Sequence, residues 1–419
     1  MGKMTKKMLA VLIIAVMAIG SLTACSGSTK KTDNSTATPT KQAEGTATEA
    51  TTAPESTATK GGKILFLVSN ASGPMYDFNI AYMDMWTKEL GYTYEIVYGD
   101  GANDPAGNLS AVKNAMTSDV VGLIAMQDGG IIDIMTEYPE LYVVGVGSDM
   151  ASVYSEGGAS AAAATNPKFL GTVAAGYSHG EDTGKMYAQM VIDKGYKKIA
   201  IAMFPAFAYP QYAIADKTIR AEIAKYNETA AEPIEIVDDE ATVLMFKPLD
   251  DTFFNEPQHQ DLDAIVGLCA GQQFIYPTLI TAIGNGIASP DTKIITSGME
   301  GSQDLVDDVG TGIVQALALP NYEELFFPIV MLDNAIQGKM YADYTKSEVL
   351  DGVYVRIFSD EIMSNVENNS PLLTADMSKL SASVEVGKKY LTRFNANATY
   401  AELREFMLSD AFSEKAYEK

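Results

Sequence analysis

The chain has 419 residues, of which 47% are apolar and 20% charged, with a formal net charge of −24. This length allows roughly two or three domains, and the apolar fraction is normal for globular proteins, so wholesale disorder is excluded. The negative charge argues against a nucleic-acid binder, which needs a basic face to meet phosphates. With only two cysteines and two histidines, a disulfide framework and a Cys/His zinc cluster are excluded.

The N-terminus has the pattern of a secretory signal. Three lysines precede an apolar run over residues 8–20, which is shorter than the about 20 residues that a membrane-spanning helix needs. The run ends in Leu-Thr-Ala-Cys at residues 22–25, which resembles the lipobox of bacterial lipoproteins. The resemblance implies a signal peptide over residues 1–24 and a Cys25 that carries palmitate-type acyl chains on the extracytoplasmic face of the cell membrane. The alternative is an ordinary secretory signal with a chance cysteine.

Residues 25–61 are predicted to be a disordered tether behind the lipid. Residues 26–60 contain eleven Thr, four Ser and two Pro, and no aliphatic side chain larger than Ala. Such a segment cannot bury enough apolar area to fold, and as a flexible coil it would reach about 33 Å. A glycosylated stalk is compatible with the same role. Removal of the signal would leave a net charge of −27.

From residue 61 onward, apolar strand patterns alternate with helical patterns, which indicates βαβ units and a parallel sheet. About eleven strands are too many for one comfortable open sheet, so we expect two lobes of five or six strands, with ligands at the carboxyl ends of the strands. The predicted strands are 63–69, 93–98, 121–126, 142–146, 169–173, 197–203, 263–268, 293–296, 312–317 and 352–358. The predicted longer helices are 76–90, 108–118, 181–194, 212–227, 273–284 and 322–337.

Three stretches in this order resemble one known family. Residues 63–76 read KILFLVSNASGPMY, a strand followed by a polar, proline and aromatic entry to a helix. Residues 99–106 read GDGANDPA, and residues 294–301 read IITSGMEG. Behind a lipobox, this ordered set is similar to the type I periplasmic binding proteins, the solute-binding components of sugar-type ABC importers. The resemblance covers roughly residues 62–358.

The resemblance implies an α/β fold of two doubly wound parallel-sheet lobes joined by a three-crossover hinge. On this basis lobe 1 is expected at residues 62–173 plus 297–340, and lobe 2 at residues 174–296 plus 341–364. Residues 365–419 have no counterpart in the family. Within them, Thr399 and Glu402 have the spacing of a capping box, so this C-terminal extension is predicted to contain a helix.

A competing motif is Gly-Tyr-Ser-His-Gly at residues 176–180, which fits the turn that presents the nucleophilic serine of α/β-hydrolases. That chemistry would make Ser178 the nucleophile and needs an acid and then a histidine later in the chain. The only histidine beyond the motif is His259, which lies in a polar loop, and no HGGG-like oxyanion segment precedes the serine. A serine hydrolase is therefore the less favoured hypothesis. In the binding-protein interpretation the same loop is the first crossover.

A sugar site needs planar polar side chains for the hydroxyl groups and an aromatic face for the C–H surface. The predicted strand-end loops supply both. Trp86 and Cys269 are assigned to the core instead, because they lie on an apolar helix stripe and in an apolar strand. The predicted ligand-binding residues are Asn70, Ser72, Tyr76, Asp77, Phe78, Gln127, Asp149, Tyr177, Ser178, Tyr209, Gln211, Gln273 and Glu300.

The charges of these loops restrict the ligand. No arginine or lysine lies in them, so a carboxylate or phosphate ligand would lack its natural bidentate partner. This favours a neutral polyol, then a nucleoside, then a cation. The family's polar residue before the Leu-Pro of its last lobe-1 strand is Ala318 here, which removes one hydrogen bond or moves it to Asn321.

The sequence therefore predicts an extracytoplasmic solute-binding lipoprotein of an ABC importer, which captures a small sugar-like ligand by hinge closure of two lobes. The predicted partners are the ligand, the permease subunits and the membrane through the N-terminal lipid. A monomer is expected, and no enzymatic activity, cofactor, metal or nucleic acid is predicted. A nucleoside-binding lipoprotein and a ligand sensor for a membrane receptor are the alternatives among binding proteins.

Overall fold

Two sheets organise the part of the chain that the structure describes. The structure is a computed structural model, and it describes residues 61–68, 74–99, 104–154, 158–174, 178–206, 209–245, 247–297, 310–352, 354–357, 377–409 and 411–412. No helix within these ranges combines the length and the apolar character that crossing a membrane requires.

The first sheet is parallel and has the strand order β12-β5-β4-β3-β1-β2. Its strands are β1 (Lys63–Val68), β2 (Thr93–Tyr98), β3 (Val120–Ala125), β4 (Tyr142–Val146), β5 (Phe169–Ala174) and β12 (Val349–Asp351). The helices between them are α1 (Pro74–Leu90), α2 (Pro105–Ala115), α3 (Ile131–Glu137), α4 (Ala151–Tyr154) and α5 (Gly158–Ala164). We call this sheet and the elements that pack on it lobe 1.

The second sheet has the order β13-β11-β10-β9-β6-β7, with β8 also paired to β6, and it is parallel except that β13 runs antiparallel to β11. Its strands are β6 (Lys198–Met203), β7 (Glu235–Ile236), β8 (Thr242–Val243), β9 (Ala264–Ala270), β10 (Lys293–Ser297), β11 (Val314–Pro320) and β13 (Tyr354–Ile357). Its helices are α6 (Ser178–Lys194), α7 (Pro210–Asn227), α8 (Gly271–Phe274) and α9 (Tyr276–Gly284). We call this unit lobe 2.

Strand β1 shows why the sheet of lobe 1 must be covered on both faces. Successive side chains of a strand point to opposite faces, and here both sets are apolar and buried. Ile64, Phe66 and Val68 belong to one core cluster, while Leu65 and Leu67 belong to another. A parallel strand with this pattern is stable only when helices cover both faces of the sheet. The predicted doubly wound architecture is confirmed.

Up to residue 357 the chain crosses between the lobes three times, as the resemblance implied, but the expected lobe boundaries are wrong in two places. Residues 297–340 were expected in lobe 1, whereas β11 pairs with β10 in lobe 2. Residues 341–364 were expected in lobe 2, whereas β12 pairs with β5 in lobe 1. An apolar strand can join either sheet, and its sequence does not state which neighbour it pairs with. The crossovers therefore follow β5, β11 and β12.

The C-terminal extension is part of lobe 1. It contains a turn at Met377–Lys379 and the helices α11 (Val384–Gly387) and α12 (Tyr400–Met407). The predicted capping box is present, because Thr399 N donates to Glu402 Oε2 at 3.1 Å and Glu402 N donates to Thr399 Oγ1 at 3.2 Å. The extension packs on α10 (Phe326–Ile336), a helix in which every residue is buried. It thereby covers the outer side of lobe 1.

The contact of α11 with α1 leaves no room for a side chain at Gly387. A Cβ there would collide with the indole ring of Trp86 and with Phe326. We expect Gly387→Ala to lower the free energy of unfolding by about 1–3 kcal/mol, because overpacking forces neighbours out of their rotamers. The control is Gly284→Ala at the end of α9, where nothing lies within 4 Å. Urea unfolding measures both variants, and equal midpoints would contradict the packing argument.

A buried carboxylate in the turn Tyr322–Leu325 predicts a pH dependence. Glu323 is 2% exposed, and burial raises its pKa from 4.5 to about 7, against the opposing effect of hydrogen bonds from Ala382 N and Ser381 N. Between these two pH values the folded state holds a proton that the unfolded state has lost. The stabilisation is therefore complete below the unfolded pKa and is lost as pH rises through about 7.

We expect the unfolding free energy of the native chain, measured relative to Glu323→Gln, to fall by about 3 kcal/mol between pH 4.5 and pH 8. Glutamine stands for the protonated form and does not titrate. The control is Glu385→Gln, whose carboxylate is exposed beside Lys388. Urea titrations at several pH values measure the difference, and a difference that does not change with pH would contradict the assignment.

Candidate functional site

The carboxyl ends of parallel strands meet at one edge of a sheet, and ligands bind where the strand order reverses. In lobe 1 the order reverses between β1 and β3, and in lobe 2 between β6 and β9. The segments after β1 and β3 therefore flank the reversal in lobe 1, and residues 204–212 and 271–274 flank it in lobe 2. These segments contain most of the predicted ligand-binding residues.

Gln127, directly after β3, carries a buried donor without a partner. Its side chain is 4% exposed, and its Oε1 accepts a 3.4 Å hydrogen bond from Asn108 Nδ2. Asn108 Nδ2 also donates to Gly129 O at 2.9 Å, which holds the loop after β3 against α2. Among the described residues, the Nε2 of Gln127 has no hydrogen-bond partner. An orphan amide at a strand end is a group that a ligand oxygen could satisfy.

Two carboxylates lie in the loops that follow β3 and β4. Asp128 accepts hydrogen bonds from the backbone N of Ser152, at 2.9 Å, and from the Ser152 hydroxyl. Asp149 Oδ1 accepts from Ala151 N at 3.2 Å. Partial burial raises the pKa of Asp149, and the nearby Asp128 raises it further. These carboxylates can accept hydrogen bonds from hydroxyl groups.

The start of α1 contributes an exposed aromatic pair. The hydroxyl groups of Tyr76 and Tyr98 are 2.6 Å apart, and the ring centroids are 6.4 Å apart. Asp77 is exposed beside them, but Phe78 is buried and stacks on Tyr82, so it belongs to the core. Sequence reasoning missed Tyr98, because as the last residue of β2 it was assigned to the strand. The alternation of side chains along an edge strand was the signal that could have identified it.

Lobe 2 presents an aromatic cluster after β6 and β9. The ring centroid of Phe204 lies 5.5 Å from that of Tyr209 and 5.1 Å from that of Phe274. The ring of Tyr209 stacks on that of Tyr212, with centroids 5.4 Å apart. Burial raises the pKa of Tyr209. Close by in the chain, Gln211 is half-buried and Gln273 is exposed. The cluster offers an aromatic surface with amides at its margin.

Several predicted residues lie outside the described residues: Asn70, Ser72, Tyr177, Glu300 and the lipidation site Cys25. Ser178 is the first residue of α6, and its side chain also lies outside the described part. These assignments stay predictions. The core assignments are confirmed, because Trp86 and Cys269 are fully buried.

Two polar residues that the sequence offered for catalysis or ligand binding, His259 and Asn321, are bonded to other parts of the protein. His259 Nδ1 lies 2.7 Å from Phe253 O, and its Nε2 lies 2.9 Å from Asp238 Oδ2. Both ring nitrogens are thus engaged, and neither is free to take a proton from a serine. Asn321 is buried, donates to Phe412 O at 2.6 Å and accepts from Glu323 N at 3.1 Å. It is not a free ligand donor, which corrects the expectation that it replaces Ala318.

The described strand-end segments contain carboxylates, amides and aromatic rings, and no lysine or arginine. Two arginines elsewhere in the lobes form ion pairs with nearby carboxylates: Arg220 pairs with Asp216, and Arg393 pairs with Asp333. The described part of the site can therefore form hydrogen bonds and stack on a ligand, but it offers no cation to an anionic ligand.

Solved structures share this architecture. A periplasmic ribose ABC transporter protein from Conexibacter woesei is 16% identical, with a TM-score of 0.55 over 74% of this chain and 96% of its own. The periplasmic binding component of an arabinose ABC transporter from a Shewanella species is 14% identical, with a TM-score of 0.55 over 75% and 97%. The fold is that of the type I periplasmic binding proteins.

The type I periplasmic binding protein fold does not by itself fix the function. The transcription regulator CcpA of Lactococcus lactis also has it, with 14% identity and a TM-score of 0.50 over 71% of this chain and 97% of its own. No family model matches the chain, and no curated protein is similar to it in sequence. The function must therefore be argued from the site.

The orphan amide predicts a stability test. We expect Gln127→Leu to raise the unfolding free energy of the ligand-free protein by about 1 kcal/mol, because a buried donor without a partner is removed. Asn108 keeps its hydrogen bond to Gly129 O. The control is Gln273→Leu, an exposed glutamine at the strand ends of lobe 2, which should gain nothing. Thermal unfolding measures both, and a less stable Gln127→Leu would contradict the burial argument.

Proposed function

We propose that this protein is an extracytoplasmic solute-binding lipoprotein that captures a small neutral polyol, most simply a sugar, between its two lobes. The observation that carries the proposal is that both reversal points present amides and aromatic rings, with no lysine or arginine among the described residues of these strand-end segments. Hydroxyl groups need such donors and acceptors, and the C–H face of a sugar packs on aromatic rings.

Each lobe contributes a different half of this recognition. In lobe 1 the Nε2 of Gln127 is a donor for a ligand oxygen, and Asp149 is an acceptor for a ligand hydroxyl. In lobe 2 the half-buried ring of Tyr209, which stacks on the buried Tyr212, supplies an aromatic face. Closure of the lobes would bury the ligand between the two halves. Specificity would follow because a ligand that lacks a hydroxyl leaves buried polar groups unpaired.

The similar structures support a sugar as the ligand. They include the ribose and arabinose ABC transporter proteins and GanP, a glucose-galactose binding protein from Geobacillus stearothermophilus. GanP is 16% identical, with a TM-score of 0.50 over 71% of this chain and 97% of its own. The scarcity of cations at the strand ends agrees with an uncharged ligand.

The anchor and the transporter are proposed from the sequence. The lipobox at residues 22–25 would attach the chain through Cys25, and the Thr-rich segment would let the lobes reach a permease. The net charge of the mature chain, −27, would be repelled by anionic lipid. The acyl anchor would then be the attachment, and the closed lobes the form that the ABC permease recognises.

The proposal excludes catalysis at Ser178. A serine hydrolase needs a histidine base, and both ring nitrogens of His259 are already bonded inside lobe 2. The other histidine, His179, lies inside the motif itself. Without a base the serine hydroxyl is a weak nucleophile at neutral pH.

A thermal-shift screen over monosaccharides, short oligosaccharides and nucleosides tests the ligand class. We expect neutral sugars to raise the melting temperature, because a ligand that binds only the folded state stabilises it by mass action. Stabilisation by nucleosides alone would favour the nucleoside-binding alternative. If no compound of the set stabilises the protein, the sugar assignment fails.

Variants then connect the ligand to the site. Gln127→Leu should weaken the binding of the sugar found by at least about tenfold, although it stabilises the ligand-free chain. Gln189→Leu on the exposed side of α6 is the matched control and should bind normally. The full-length chain and Ser178→Ala are also assayed on a simple ester. An esterase activity that Ser178→Ala abolishes would overturn the proposal.

A further inference from the structure

The three crossovers of the hinge contact one another. Gly352 N donates to Ala174 O at 2.6 Å, which joins the third crossover to the first. Pro320 and Tyr354 are paired residues of β11 and β13, so the second crossover leaves lobe 2 beside the point where the third crossover enters it. A Cβ on Gly352 would collide with Glu324 Oε1, so the carboxylate of Glu324 packs against the third crossover.

The C-terminal extension holds the second crossover from two sides. Asn321 is the single residue between β11 of lobe 2 and the turn Tyr322–Leu325 of lobe 1. Its Nδ2 donates to Phe412 O at 2.6 Å, near the end of the extension. The carboxylate of Glu323 accepts hydrogen bonds from Ser381 N at 3.2 Å and Ala382 N at 2.7 Å, near the start of the described extension.

The extension is itself fixed to lobe 1. Arg393 donates through Nε to Asp333 Oδ2 at 2.9 Å, and its other nitrogens reach Leu90 O at 2.9 Å and Tyr92 Oη at 3.1 Å. Thr392 N donates to Asn334 Oδ1 at 2.8 Å. Because the extension is fixed to lobe 1, it also restricts the motion of the residues that it bonds at the second crossover, Asn321 and Glu323.

These contacts limit how the hinge can move. Hinge motion is absorbed by φ and ψ changes in a few residues between rigid bodies. Residues 321–323 lie at that boundary, and the buried side chains of Asn321 and Glu323 are bonded to the extension by hydrogen bonds that would be lost if the backbone rotated. Breaking buried hydrogen bonds opposes the rotation.

We propose that the C-terminal extension is a hinge brace, whose contacts with Asn321 and Glu323 set the equilibrium between open and closed lobes. The inference rests on the proposed function in that closure is what captures the ligand. Asn321 directly follows β11, but its side chain and that of Glu323 are buried and bonded to the extension, so the brace alters ligand affinity through the closing equilibrium and not through ligand contacts.

Inter-lobe distances test the brace without a ligand. Spin labels are placed at Glu140→Cys in lobe 1 and Glu228→Cys in lobe 2, both exposed sites, in a full-length chain with Cys25→Ser. Cys269 is buried and stays unlabelled. We expect Asn321→Ala, and Glu323→Gln at pH 8 where the native Glu323 is ionised, to broaden or shift the distance distribution between the labels. Where a ligand is known from the screen, its affinity should change by about 3- to 30-fold.

The matched control is Thr292→Ala. It also removes a buried hydrogen bond, from Thr292 Oγ1 to Leu262 O at 2.7 Å, but that bond lies inside lobe 2 and involves neither the extension nor a crossover. It should leave the distance distribution unchanged. Glu323→Gln keeps the size of the side chain, and its urea midpoint verifies that it folds.

The outcomes separate this inference from the proposed function. If Asn321→Ala and Glu323→Gln both keep the native distance distribution, the brace is overturned while ligand capture stands. If Thr292→Ala broadens the distribution equally, the variants act through general stability, which also overturns the brace. If no compound in the screen binds, the sugar assignment fails, and the distance measurement still decides the brace.

Discussion

The ion pair between Asp333 and Arg393 is the constraint on which lobe 1 depends. Asp333 is fully buried on α10, and burial acts to raise its pKa while the guanidinium of Arg393 acts to lower it. A buried carboxylate without a partner is strongly destabilising, so α10 requires a cation from elsewhere in the chain. The extension supplies it from a residue 60 positions away. The fully buried α10 and the C-terminal extension are therefore stable only together.

This coupling reaches the hinge because α10 follows the second crossover directly. The turn Tyr322–Leu325 enters α10, and the same extension that pairs with Asp333 also bonds Asn321 and Glu323. An aromatic series on the same side joins α1 to α10, through Phe78 and Tyr322 at one end and Trp86 and Phe326 at the other. The packed aromatic core of lobe 1 thus extends from the start of α1 to the turn where the chain enters from lobe 2.

The site combines what each sheet edge can offer. In each sheet the reversal of strand order separates neighbouring loops and leaves a crevice; Gln127 lies at this edge of lobe 1, and the aromatic cluster around Tyr209 lies at this edge of lobe 2. Sequence reasoning placed Gln127, Asp149 and Tyr209 in loops that follow apolar strands, and the structure has them there. It could not distinguish Phe78, which the packing of α1 buries, from Tyr76, which it exposes.

The sequence by itself determined the features that depend on neighbours close in the chain. The alternation of strands and helices, the capping box of Thr399 and the N-cap of Asp104, which accepts from Gly107 N at 2.8 Å, all depend on residues a few positions apart. The apolar strands also required two doubly covered sheets.

Only the tertiary structure decided which sheet β11 and β12 join, and what the extension covers. Strand pairing and buried ion pairs join residues that are distant in the chain, and an apolar run satisfies either sheet equally well until its neighbours are in place. The engagement of His259 with Phe253 and Asp238 belongs to the same class, because a polar loop gives no sign of where its ring will pack. Interactions between residues close in the chain therefore determine the helices and strands. Long-range pairing determines the hinge and the position of the C-terminal extension beside it.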